Sequence, residues 1–169
     1  MAREPFRIEG LEGVLKTLKA LPPELVGKNG GPVRVALRKA ALIILTEAQA
    51  NVQGIIDTPN IGGDVAESSG LLKSNIVATR RRMPAGLKGE RFAVRVRRKT
   101  YPEQGAGKKR TTAQIGALLE QGTERREPMP WMRPAFESKK REAVAVFERE
   151  LPRAIDRIVK KLARQNGVA

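Results

Sequence analysis

Apolar residues recur three and four apart in three stretches of the chain and alternate with charged residues in one, and these patterns set the expected elements. Leu11, Val14, Leu15, Leu18 and Leu21 share one side of a first helix, with Glu12, Lys16 and Lys19 opposite, and Pro22-Pro23 ends it. Residues 1–9 precede it as an irregular arm. A second helix is predicted over about residues 32–53, with Pro32 at its first position. Its wide apolar face, with Val33, Ala36, Leu37, Ala40, Ala41, Ile44, Leu45 and Ala48, makes it the candidate central core helix, and its alanines let a neighbour approach closely. Phe92, Val94 and Val96 alternate with Arg91, Ala93, Arg95 and Arg97, the pattern of a half-buried antiparallel strand over 91–99 with one apolar and one basic face.

The remaining elements follow from stop and start signals. Glycines and polar residues make 54–70 a long loop. Ser69 to Asn75 is a short turn or helix leading into a strand that contains Ile76, Val77 and Thr79, joined to the 91–99 strand by a loop from Met83 to Glu90. Residues 102–110 read as a flexible basic loop. Thr111-Thr112-Ala113-Gln114 is a capping box opening a short helix. Gly122 ends that helix in a left-handed conformation. Pro128 and Pro130 hold the chain extended, and Pro134 suits the first turn of a last helix. That helix carries Phe136, Ala143, Val144, Phe147, Leu151, Ile155, Ile158 and Leu162, with a kink expected at Pro152. The expected fold class is α+β in one domain over 1–169: two N-terminal helices, a short antiparallel sheet with a long basic hairpin, a short helix and a long C-terminal helix, with 137–169 forming an extended C-terminal helix.

Composition narrows the chemistry. Hydrophobic residues form 40% of the 169, but with four Phe, one Tyr and one Trp the core must be mostly aliphatic. The absence of Cys removes disulfide and thiolate chemistry and fits a reducing compartment. The absence of His removes the commonest general base and metal ligand. Asp57, Asp64, Glu67 and Glu120 form no recognisable spacing for a hard cation, and Glu120 beside a helix end reads as a structural acceptor. Gly105 to Arg110 fails as a phosphate loop, because Pro102 stands where its first glycine is needed and Lys109 where Ser or Thr is needed. Neither enzyme activity nor a cofactor is expected. No stretch approaches the roughly 18 apolar residues of a membrane span, so no membrane partner is expected either.

The net charge is +15, and +10 of it lies between Arg80 and Arg110, where twelve Lys and Arg face two acids. Arg80, Arg81, Arg82, Arg95, Arg97, Arg98, Lys99, Lys108, Lys109 and Arg110 are the candidate contacts to phosphates or an acidic protein surface, and a solvated strand face is the plainer alternative. Aromatic residues scarcely interleave with them, which argues against base stacking. Glu120, Gly122, Thr123, Pro130, Trp131, Met132, Arg133 and Pro134 form a second candidate, a pre-shaped clip for assembly. Its Trp is either a docking anchor or a cap on the chain's own core.

Four segments in order carry a resemblance: Gly10-Leu11 at the first helix; Ala36-Leu37-Arg38-Lys39-Ala40-Ala41 in the second; Ser69-Gly70-Leu71-Leu72-Lys73-Ser74-Asn75-Ile76; and Leu119-Glu120-Gln121-Gly122-Thr123 followed by Pro130-Trp131-Met132-Arg133-Pro134-Ala135. The series resembles the tail-completion, or head–tail joining, proteins of long-tailed bacteriophages, often labelled minor tail components. The resemblance spans residues 10 to about 140 and implies an α+β subunit with a central helix on a short antiparallel sheet. It implies a structural, non-enzymatic role in the virion neck, as a homo-oligomeric ring, commonly hexameric in such proteins, assembled in the host cytoplasm, with head-connector or stopper and tail-tube or tail-terminator proteins as partners. The basic hairpin and the charged helix beyond Phe136 depart from that pattern. The alternative is a sequence-independent DNA-binding protein using residues 80–110, and the two are compatible, since a neck ring surrounds exiting DNA.

Overall fold

The computed structural model describes residues 31–58, 69–87, 89–102, 110–124 and 126–165. The expected first helix, most of the 54–70 loop and most of the 102–110 loop lie outside them. The described elements are α1 (Gly31–Asp57), α2 (Leu71–Ser74), β1 (Ile76–Arg81), β2 (Arg91–Val96), α3 (Thr112–Gln121) and α4 (Met132–Gln165), an α+β arrangement dominated by helix. No helix among the described residues is long and apolar enough to cross a membrane.

The framework is an antiparallel pair of long helices. Ala36 near the start of α1 packs with Phe147 and Leu151 of α4, while Ala48 and Val52 near its end pack with Trp131 and Ala135 at the start of α4. Ala36, Ala48 and Ala135 are fully covered at this contact, where their small side chains leave room for Phe147, Leu151 and Trp131. Lys39 pairs with Glu150 across this interface, and Lys139 lies 3.9 Å from Glu47. α4 runs continuously through the exposed Pro152. The carbonyl deprived of its N–H partner there belongs to the equally exposed Glu148, where water can reach it.

α1 outlasts its expected end by four residues. Gly54 costs about 1 kcal/mol relative to Ala in a helix, but Ile55 and Ile56 continue the apolar period and pack against the core, which offsets it. The last turn is tied by Gln53 Nε2 donating to Asp57 Oδ1 and Thr58 Oγ1 donating to the Gly54 carbonyl, both at 2.7 Å.

The two strands form one antiparallel ribbon against the C-terminal half of α1, with Ile76 opposite Val96, Ala78 opposite Val94 and Arg80 opposite Phe92. Ile76, Val94 and Val96 join Val52 and Leu72 in the main core. Gln49 of α1 reaches back to the Ile76 carbonyl at 3.3 Å. The second strand is shorter than the expected 91–99. Arg97 N still donates to Asn75 O, but the chain then turns onto the start of α3, where the fully buried Thr112 hydroxyl donates to Arg97 O at 2.6 Å and accepts from Lys99 N at 2.9 Å. The capping box forms as the sequence predicts: Thr111 Oγ1 accepts from Gln114 N, and Gln114 Oε1 accepts from Thr111 N.

Candidate interface: the clip and the basic ribbon

The end of α3 and the start of α4 are locked together by one carboxylate. Glu120, in the last turn of α3, accepts from the backbone N–H groups of Trp131 and Met132 at 2.8 Å each and of Arg133 at 3.0 Å. It thus caps α4 from the preceding helix, and places negative charge at the positive end of the helix dipole. Burial pushes the Glu120 carboxyl up, but the N–H groups of Met132, Trp131 and Arg133 together with the Arg133 charge outweigh it and hold the group below the usual carboxylate range.

The intervening chain folds back tightly. Gly122 N donates to Leu118 O, Thr123 and Arg126 exchange backbone bonds at 2.8 and 3.2 Å, and Met129 N donates to Leu119 O. The expected left-handed residue at Gly122 has the positive φ, 74°, but its ψ is −175°. It is therefore extended in a region open essentially to glycine alone. A Cβ there would meet Pro128 N at 2.8 Å and Arg126 O at 2.9 Å, so crowding as well as φ selects glycine.

Trp131 is 3% exposed and belongs to the main core. Its N–H goes to Glu120, its carbonyl accepts from Asn51 Nδ2 of α1 at 3.0 Å, and its indole Nε1 donates to Gly116 O of α3 at 3.0 Å. The docking-anchor reading of this residue is thereby corrected: the ring fills the chain's own junction of α1, α3 and α4 and presents no surface to a partner. What the clip offers outward is Thr123, Pro130, Arg133 and Pro134, which are exposed, with Gly122, Glu120 and Met132 half-covered.

The ribbon divides the candidate cations. Arg80 lies on the same face as Phe92, and its guanidinium is engaged by Glu90, Nε to Oε2 at 2.7 Å and Nη2 to Oε1 at 2.5 Å. On the opposite face Arg81 stands directly across from Arg91, and Arg95 bonds Thr79 Oγ1 at 3.0 Å. Like charges directly opposite one another weaken a ribbon, and among the described residues no acid is paired with Arg81 or Arg91. Arg82, Arg97, Arg98, Lys99 and Arg110 are exposed around it, while Lys108 and Lys109 lie outside the described residues.

Three positions that the sequence reading passed over complete the picture. Asn51 satisfies the Trp131 carbonyl; its signal was a polar residue within a buried turn between Ala48 and Val52. Gly116 sits inside α3 because a Cβ there would press on Leu72 and Trp131 at 3.3 Å and Val96 at 3.4 Å; its signal was a glycine in a helix interior. Glu150 is covered by the side chains around it. The Lys39 hydrogen bond, opposed by burial and aided by Arg153, holds its carboxyl below the usual range.

Comparison of the chain with protein-family models, with curated proteins and with solved structures returns no match.

Proposed function

We propose that this chain is a structural subunit of a bacteriophage neck, a tail-completion or head–tail joining component that assembles with copies of itself between the head connector and the tail tube. The observation that carries the reading is Glu120. The E-x-G-T turn and the P-W-M-R-P-A segment, which bear the most specific part of the resemblance, are one hydrogen-bonded piece held through this carboxylate. Such a piece is pre-organised, with Thr123, Pro130, Arg133 and Pro134 on its outer rim, and pre-organisation lowers the ordering cost of association. The test is to mix the purified chain with connector and tail-tube proteins of a long-tailed phage and to image the particles. Ring-shaped assemblies on the connector are expected. A chain that stays monomeric alone and with every neck component defeats the reading.

A second reading rests on the ribbon. The Arg81–Arg91 pair and its exposed neighbours suit a polyanion, either the phosphates of duplex DNA or an acidic face of a neck partner. DNA binding that is sequence-independent and falls steeply with salt supports phosphates. Retained association with an acidic protein, without DNA binding at low salt, supports the protein face.

A further inference from the structure

The register of the ribbon fixes which backbone groups it leaves unused. Arg97 N donates to Asn75 O, so Asn75 and Arg97 are a hydrogen-bonded pair, and by alternation so are Val77 with Arg95, Thr79 with Ala93 and Arg81 with Arg91. The N–H and C=O groups of Ile76, Ala78 and Arg80 therefore point away from β2, along the outer edge of β1. Gln49 Nε2 donates to the Ile76 carbonyl on that edge. The backbone groups of Ala78 and Arg80 have no such partner among the described residues. The outer edge of β2 is different, because the chain beyond it turns onto α3, where Thr100 bridges Thr111 and Val96 lies against Gly116. Beside the open edge the charge is of one sign. The two strands hold Arg80, Arg81, Arg91 and Arg95 and no acid. Arg81, Arg91 and Arg95 are exposed on one face, whereas Arg80 is engaged by Glu90 on the other.

We propose that the outer edge of β1 takes up an extended acidic peptide segment of a partner protein as a third strand. The chemistry of the edge chooses this occupant. Unused N–H and C=O groups recur at Ala78 and Arg80, roughly 7 Å apart along the strand, and a peptide backbone offers acceptors and donors at that same repeat. DNA phosphates accept from N–H groups but present like charge to the carbonyl oxygens between them. A strand from a second copy of this ribbon sets arginine beside arginine, and charged side chains on an edge deter such self-pairing. A strand with Asp or Glu at alternate positions instead brings its carboxylates alongside Arg81, with Arg91 and Arg95 one strand further on. The inference is independent of the neck reading, and it names main-chain pairing, a mode of contact that the ribbon's charge alone does not require.

The test titrates the isotopically labelled full-length chain with short synthetic peptides in which Glu alternates with Val or Thr, and follows amide hydrogen exchange by nuclear magnetic resonance. Exchange at Ala78 and Arg80 is expected to slow several-fold at saturation, while Val77 and Thr79, already bonded to β2, change little. The same peptides methylated on every backbone nitrogen, or carrying Lys in place of Glu, are expected not to bind. Binding that leaves exchange at Ala78 and Arg80 unchanged, or equal binding of the methylated peptides, shows contact by charge alone and overturns the proposal. Equal binding of the Lys peptides, or no binding of any Glu peptide up to millimolar concentration, overturns it as well. Slowing of both amides by duplex DNA, or by raising the concentration of the chain alone, assigns the edge to phosphates or to a second copy and likewise overturns it.

Discussion

The indole of Trp131 and the α-carbon of Gly116 share one space: Nε1 donates to the Gly116 carbonyl at 3.0 Å, and a Cβ on Gly116 would stand 3.3 Å from the ring. The missing side chain of one residue is the seat of the other. Gly116→Ala should therefore lower stability by about 1 kcal/mol or more, although alanine is intrinsically the better helix former by a similar amount. Chemical denaturation followed by circular dichroism measures it, and a stabilised variant would show that the seat is loose.

Trp131→Ala empties that junction. The expected loss is about 3–5 kcal/mol, the range of large-to-small changes in a packed core. Stability unchanged within about 0.5 kcal/mol would mean that the ring is not structural.

Glu120 makes stability depend on pH in one direction. Its carboxyl titrates below the usual range in the folded chain. Its contribution is complete above the ordinary unfolded carboxylate value and is lost as pH falls through the depressed folded one. Glu120→Gln should cost about 1–2 kcal/mol at neutral pH and reduce the acid-side slope of the stability curve. A parent and variant with parallel acid limbs would contradict this.

Two glycines separate backbone strain from crowding. Gly70 has φ 63° and open space around its α-carbon, so Gly70→Ala should cost only the left-handed penalty of about 1–2 kcal/mol. Gly122→Ala adds a collision with the backbone at Arg126 and Pro128 and should cost about 3 kcal/mol or more. Equal costs would remove crowding as a reason for glycine at 122.

The ribbon predicts a division among arginines that look alike in the sequence. Arg81→Gln, Arg91→Gln and Arg95→Gln together should weaken polyanion binding and flatten its salt dependence, since fewer counterions are released. Arg80→Gln should leave that slope nearly unchanged, because Glu90 already holds its guanidinium on the other face. An equal effect of Arg80→Gln would undo the division.

What could be read from the sequence was local. The capping box at Thr111 and Gln114 lies within four residues, and the alternation of Phe92, Val94 and Val96 needs no partner to be seen. The positive φ of Gly122 was legible as a helix stop, whereas its ψ depends on where Pro128 returns. The link from Glu120 to Trp131 spans eleven residues and that from Asn51 to Trp131 eighty, and no spacing rule announces either. Gly54 reads as a stop until the burial of Ile55 and Ile56 is known. The face on which Arg80 lies follows from strand register, which a single strand's pattern does not supply.

Trp131 is also the chain's single indole, and Tyr101 its single phenol. Ultraviolet emission from this protein accordingly originates almost wholly at one address, where α1, α3 and α4 meet and where the chromophore's own N–H is already committed to Gly116. A shift of that emission to longer wavelength reports the opening of this junction, and a subunit that docks through the outer rim of the clip while keeping the junction closed would leave the colour of its light unchanged.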